Sequence, residues 1–134
     1  MSSNLSVSAA TETADRGERP WGQWKVLYRG EGYQVKLIEV RPGQRLSLQY
    51  HRHRSEIWVK VAGSAVATVG EQSFDPAPMQ PVVIPVGAVH RLSNSGTDML
   101  RIVEVQQGDW ISEEDIVRLQ DDYQRASPQL GVQR

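Results

Sequence analysis

Between residues 24 and 107 the chain falls into seven short apolar segments, each closed off by Gly, Pro, Asn or Asp. They are WKVLYRG (24–30), YQVKLIEV (33–40), RLSLQYH (45–51), EIWVKVAG (56–63), SAVATVG (64–70), QPVVIPV (80–86) and MLRIVEVQQ (99–107). Val, Ile, Leu and aromatic side chains bounded by such punctuation read as strands. That many strands at this spacing restrict the fold to an all-β sandwich, jelly roll or closed barrel. In 33–40 one alternate set is Val35, Leu37 and Glu39 and the other is Lys36, Ile38 and Val40, so both faces carry apolar residues. A length of 134 residues allows one domain.

The two ends read differently. Residues 1–17 are small and polar, with too little to bury to offset the entropy of ordering, and are expected to form a flexible tail. The barrel is expected over 18–110, starting where Arg19, Pro20, Trp21, Gly22 and Trp24 bring aromatics and turn formers together. After the last strand, ISEEDIVRLQDDYQR offers Ser112 as a helix cap and Asp115, three residues on, as an acidic variant of the capping box. Ile116, Leu119, Gln120 and Tyr123 then share one face at helical spacing. The pattern predicts a short helix over 111–125 packed on the barrel, with a loose end at 126–134.

Charge and cysteine content narrow the chemistry. Lys plus Arg number 15 against 16 Asp plus Glu, so a net charge of −1 gives no basis for a nucleic-acid or anionic-membrane partner. The chain has no Cys, so any metal has to be held by nitrogen and oxygen ligands. The N-terminus lacks a basic start followed by an apolar core, and no apolar run approaches the ~20 residues needed to cross a bilayer, so a cytoplasmic location is expected.

Gly43 to Gly63 holds the densest set of such ligands. Gln49 and His51 lie two apart on an expected strand, so their side chains leave the same face with Cα atoms roughly 6–7 Å apart and can converge on one ion. Glu56 opens the next strand after a polar connection from Arg52 to Ser55, and Glu56, Trp58 and Lys60 share a face. PVGAVHRLSN (85–94) then places His90 just after a Pro/Gly turn, where it can deliver another imidazole to the same cavity. An amide, two imidazoles and a carboxylate suit one divalent metal of the group Zn, Mn, Fe, Co and Ni.

These two stretches resemble the paired motifs of the cupin superfamily, G-x5-H-x-H-x3,4-E-x6-G and G-x5-P-x-G-x2-H-x3-N. The first fits with Gln49 in place of the first His, running from Gly43 through His51 and Glu56 to Gly63. The second fits from Pro85 through Gly87 and His90 to Asn94, with Met79 where its leading Gly would stand. The resemblance implies a double-stranded β-helix, or jelly-roll barrel, with a divalent metal in its mouth. A competing register pairs His51 with His53, but leaves only two residues before Glu56, so His53 is left as an outer or spare ligand.

Within that superfamily the wording resembles the type II phosphomannose isomerase domain, usually the C-terminal part of mannose-1-phosphate guanylyltransferase. The residues that carry the resemblance are RPWG (19–22), the run from Tyr33 to Ala65, IPVGAVHRLSN (84–94), IVEVQQGDW (102–110) and SEEDIVRLQDDYQR (112–125). Two departures stand out: the nucleotidyltransferase half is absent, so guanylyl transfer is not expected, and the closing Tyr-Gly-Arg is Tyr123-Gln124-Arg125 here. The resemblance implies interconversion of mannose 6-phosphate and fructose 6-phosphate through an enediol. Such a shift needs a Lewis acid on the substrate oxygens and a base that moves a proton between C1 and C2. Glu104, Lys60, His53 or a hydroxide on the ion are chemically able to be that base.

A phosphate dianion needs charge-assisted donors, for which Arg91, Arg54, Arg45 and Lys36 are the candidates. Trp21, Trp58 and Trp110 are candidates to wall the pocket. Two rival readings are a non-catalytic cupin that binds a sugar phosphate, and another metal-dependent cupin enzyme such as a dioxygenase. A small barrel with an apolar outer face gains by burying it, so a homodimer is expected.

Overall fold

The computed structural model describes residues 14–125 and contains eleven strands, with no α-helix among the described residues. They are β1 (Arg16–Arg19), β2 (Gly22–Gly30), β3 (Tyr33–Val40), β4 (Leu48–Tyr50), β5 (Arg54–Ala62), β6 (Ala65–Val69), β7 (Gln72–Phe74), β8 (Val82–Ile84), β9 (His90–Asn94), β10 (Leu100–Gly108) and β11 (Val117–Gln120). One sheet runs β1-β2-β3-β10-β5-β8 and the other β11-β4-β9-β6-β7, with antiparallel pairing throughout. The jelly-roll expectation holds. Among the described residues no helix is long and apolar enough to cross a membrane.

Cross-strand register sorts the barrel interior into layers. In the larger sheet Gln34 faces Gln106 and Lys36 faces Glu104, whereas further along the same strands Ile38 faces Ile102 and Val40 faces Leu100. Glu56 stands opposite Gln106 and Trp58 opposite Glu104. All of these side chains are buried, so one end of the barrel is polar and the other is an apolar floor. Trp24, Leu92, Ala65 and Ala67 complete that floor. The mixed apolar pattern of residues 33–40 has its counterpart on the outer face, where Ile57, Val83 and Val105 are exposed.

The expected helix at 111–125 is not formed, and β11 replaces it. Ser112 does act as a local cap, its Oγ accepting from Glu114 N at 3.0 Å, and Asp115 N donates to Ser112 O at 3.1 Å. The turn stops there because the Asp115 carboxylate is engaged elsewhere, accepting from the backbone N–H groups of Arg52 and His53 at 3.0 and 2.9 Å. The chain then pairs along β4, with Val117 opposite Tyr50 and Arg118 opposite Gln49. An edge strand's open hydrogen bonds outweigh the local helical preference of Leu119, Gln120 and their neighbours.

At the other end, the expected tail over 1–17 is corrected where it can be seen. Arg16 to Arg19 pair with β2, Arg16 opposite Lys25 and Arg19 opposite Gly22, so ordered structure begins ahead of residue 18. Residues 1–13 of that tail and the loose end at 126–134 lie outside the described residues.

The turn residues of the two motifs have mechanical roles. Gly87 has φ +83° and its N–H donates to His51 O at 2.9 Å, which ties the second motif to the first. Asn94 Nδ2 donates to Val40 O and Asp98 O, both at 2.8 Å, and so spans the two sheets. Gly63 bends the chain between β5 and β6 at φ +89°, where a Cβ would lie 2.8 Å from Met99 O and 2.9 Å from Leu100 Cα. Gly63→Ala is expected to lower stability by about 1–3 kcal/mol, the range for a strained backbone position. The effect is read as a lower urea midpoint at unchanged slope, and an unmoved midpoint would show that this bend has room to spare.

Candidate metal centre

Three short elements bring the site together. On β5 the alternation of an extended strand points Arg54, Glu56 and Trp58 inward, and all three are buried. Gln49 on β4 stands directly opposite His90, the first residue of β9. His51 follows β4 and is held by the turn that the Asp115 carboxylate bridges.

His51, Glu56 and His90 each offer a ligating atom, and these atoms all lie within 4.8 Å of one another. His51 Nε2 is 3.1 Å from Glu56 Oε2, and His90 Nε2 is 3.8 Å from Glu56 Oε1. Both rings are oriented from behind. His51 Nδ1 lies 2.7 Å from Asp115 O and His90 Nδ1 2.9 Å from Ala88 O, contacts in which the ring N–H donates to the carbonyl. Each donation leaves Nε2 either to take a second proton or to turn its lone pair on a cation. Burial lowers the pKa of His90 more than the Glu56 carboxylate restores it, which favours the neutral, ligating imidazole. Two imidazoles whose rings are oriented from behind, around one carboxylate, form a donor set that could hold a divalent ion.

Glu56 itself is kept ionised. Burial alone would push its carboxyl up, but His51 and Arg54 outweigh burial and hold it well below the usual carboxylate range. Arg54 Nε donates to Glu56 Oε2 at 2.9 Å and Trp58 Nε1 to Glu56 Oε1 at 3.1 Å. Trp58 also donates to Glu104 Oε2 at 3.0 Å, and Gln106 Nε2 donates to Glu104 Oε1 at 2.9 Å. Glu104 moves in the opposite direction: burial first, and then the charge of Glu56, push it well above the usual range. Burial and the charges around them thus drive the two neighbouring carboxyl groups in opposite directions, Glu56 down and Glu104 up.

The expected site residues fall into two groups. Gln49, Glu56, His90, Glu104, Arg54, Arg91 and Lys36 all line one cavity, with about 540 Å³ of empty space including its open mouth. Gln49 Nε2 donates to Ser47 Oγ at 3.0 Å, so its amide nitrogen is engaged beside the cavity. The others lie apart from that cavity. His53 is exposed, 3.4 Å from Asp109 Oδ1 and edge-on to Trp110, which likewise does not line the cavity. Lys60 shares the parity of Glu56 but lies toward the floor, and its Nζ is 2.8 Å from Asp75 Oδ1. Arg45 is bound in two places to Asp122 at the surface, at 2.8 and 2.9 Å.

The cavity also contains groups that the sequence reading passed over. Its lining cations are Arg19, Lys36, Arg54, Arg91, Arg118 and Arg125, against the carboxyl groups of Glu56, Glu104 and Glu113. Arg91 donates to two backbone carbonyls, Leu46 O at 3.0 Å and Gln120 O at 3.3 Å, so its contacts are to neutral groups. Gln106 had a visible signal, since Glu104 and Gln106 are polar residues at alternate positions on the face of β10 that Leu100 and Ile102 share. Asp115 and Glu113 had none beyond their place in a presumed helix, because their partners are far away in sequence.

An all-β barrel of this topology with a His-Glu-His group at its polar end is a cupin. Solved structures share the fold: the capsular polysaccharide assembling protein CapF of Staphylococcus aureus matches at TM-score 0.70, with 17% identity over 78% of this chain and 34% of that one. The Cnp3 cupin domain of Schizosaccharomyces pombe matches at TM-score 0.61, with 17% identity over 65% of this chain and 64% of that one. The family is narrower than the fold: the chain belongs to the mannose-6-phosphate isomerase C-terminal family, which matches residues 8–121. Among its relatives, the alginate biosynthesis protein AlgA of Pseudomonas aeruginosa is 44% identical over 96% of this chain and 27% of its own length. The xanthan biosynthesis protein XanB of Xanthomonas campestris is 46% identical over 80% of this chain and 23% of its own. A mannose-1-phosphate guanylyltransferase of Salmonella muenchen is 41% identical over 76% of this chain and 22% of its own. The chain thus spans about a quarter of the length of these relatives.

Asp115 lies behind this His-Glu-His group: its backbone carbonyl meets the ring of His51 and its carboxylate holds the turn leading to Glu56. Asp115→Ala is expected to weaken zinc or cobalt binding by about tenfold or more, as loss of such outer-shell support does. Competition with a chromophoric chelator measures it, and an unchanged affinity would show that the backbone carbonyl of residue 115 stays on His51 without the carboxylate's hold on residues 52 and 53.

Proposed function

We propose that this chain is a metal-dependent sugar-phosphate isomerase that interconverts mannose 6-phosphate and fructose 6-phosphate. The observation that supports this most is the pair of imidazoles whose Nε2 atoms converge on Glu56, beside a cavity where cations outnumber carboxylates. Family membership supplies the substrate class. Gln49, His51, Glu56 and His90 would hold one divalent ion, from the group Zn, Mn, Fe, Co and Ni. A bound ion of this kind supplies Lewis acidity toward the oxygens on C1 and C2 of the sugar.

The chain's own residues supply the rest. Glu104 is the candidate base that lines the cavity, and its raised pKa suits a group that takes a proton from one carbon and returns it to the next. Trp58 and Gln106 hold that carboxyl in place. Arg91, Arg54 and Lys36 surround the ligand with positive charge, although Arg54 is also committed to orienting Glu56. A coupled assay on mannose 6-phosphate with chelated and reloaded protein tests the proposal. Turnover is expected to return with metal, to vanish in His51→Ala and His90→Ala, and to fall by at least about a hundredfold in Glu104→Gln, within the range for losing a positioned acid-base group. One ion bound per chain with no turnover under any metal would leave a sugar-phosphate-binding cupin instead.

We also propose that the chain works as a homodimer joined through the outer face of its larger sheet. Tyr28, Val35, Val105, Ile57 and Val83 are successive neighbours across five strands of that face. A continuous apolar stripe of this kind is what sheet-on-sheet packing buries. Light scattering is expected to give a dimer mass that Ile57→Lys halves, and a monomeric wild type would refute the arrangement.

A further inference from the structure

Lys36 is a cation inside the barrel, with 3% of its side chain exposed, and its charge partner comes from outside both strands that flank it. Its Nζ lies 4.1 Å from the centre of the Trp24 ring and 2.6 Å from Glu113 Oε2. Arg19 on β1 approaches the other oxygen, with Nη2 3.5 Å from Glu113 Oε1. The Glu113 carboxylate thus sits between two cations in the cavity that Glu56 and His90 also line.

Glu113 is not what holds its own segment in place. On one side Ser112 O accepts from Arg54 Nη1 at 2.8 Å, and on the other Asp115 accepts from two backbone N–H groups of the β4–β5 turn. Between these anchors the Glu113 side chain can leave Lys36 and Arg19 by rotation about its own bonds while the backbone stays where it is. A buried ammonium needs a counter-charge at all times, because an unpaired one costs several kcal/mol. A carboxylate on a fixed turn meets that need and can still be exchanged for another anion.

We propose that Lys36 and Arg19 form the subsite for the phosphate of a phosphomonoester, and that Glu113 fills it as a tethered anion until the ligand displaces it. This rests on the sugar-phosphate reading above and adds to it the position of the phosphate and an internal competitor for that position. A phosphate near neutral pH carries more charge than a carboxylate and offers three acceptor oxygens, so it can satisfy both cations at once. The tether lowers the apparent affinity of any anion by the fraction of time the subsite is open, and it weakens singly charged ligands most.

The test uses the full chain as purified, with equal metal content in every variant and inorganic phosphate as the probe, followed by titration calorimetry. Glu113→Gln is expected to bind phosphate about tenfold more tightly than wild type, since the competing charge is gone. That gain is expected to vanish when Lys36→Gln or Arg19→Gln is added, the second at a partly exposed residue whose change leaves the barrel interior intact. Equal or weaker phosphate binding by Glu113→Gln overturns the proposal, as does a gain that survives both added substitutions. Isomerase turnover is read separately on the same preparations. Turnover without the gain removes the subsite and leaves the reaction, and the gain without turnover does the reverse.

Discussion

Glu56 places an ionised carboxylate in the interior of a small barrel, and a buried charge without partners costs several kcal/mol. Much of the polar end of the molecule can be derived from that requirement. Arg54, two residues earlier on the same strand, supplies the opposite charge, and Trp58, two residues later, supplies a neutral donor. Gln106 stands opposite Glu56 on β10 and adds a weaker donor at 3.4 Å. Strand alternation makes these partners available, because residues two apart on one strand and directly across on the next all face the same interior. The two imidazoles complete the set, His90 from the first position of β9 and His51 from the turn after β4.

That arrangement accounts for the separation of the barrel into two ends. The layers that begin with Gln34, Gln106 and Glu56 and continue with Lys36, Glu104 and Trp58 give way to Ile38 with Ile102 and then Val40 with Leu100. A polar network is tolerated inside a protein when its members satisfy one another, and an apolar floor beneath it excludes the water that would otherwise weaken each contact. The raised pKa of Glu104 belongs to the same economy of charge, since burial first and then the Glu56 carboxylate disfavour a second negative charge there.

Much of this was legible in the sequence because it depends on local spacing. Gln49, His51 and Glu56 on neighbouring strands, and His90 after the Pro85–Gly87 turn, follow from strand parity and motif spacing; the structure brings Gln49, Glu56 and His90 to one cavity and sets His51 against Glu56 and His90. Strands β2, β3, β5, β6 and β10 follow from their apolar runs. The failures share a cause. Ser112 does cap a turn, but whether a helix continues from it was decided by Asp115 binding the backbone of residues 52 and 53, some sixty positions away in sequence. His53 and Lys60 have the right chemistry and plausible parity, yet Asp109 and Asp75 hold them elsewhere. Partners of this kind carry no periodicity, and a single sequence contains no signal that pairs them.

The segment from residue 111 to 120 is therefore more than an end to the chain. It supplies the carbonyl that orients His51, the carboxylate that shapes the turn into β5, the carbonyl that receives Arg54 and the strand that pairs along the Gln49 edge. A barrel without it would retain Glu56, His51 and His90 in sequence but would lack what fixes the tautomer of one imidazole and the position of the guanidinium. Contacts of this number between one segment and one site couple the order of that segment to the occupancy of the site, since whatever stabilises either state must stabilise both. The cavity and its closing strand are in that sense one cooperative unit, built by a stretch whose local sequence favours a helix and whose tertiary partners favour a strand.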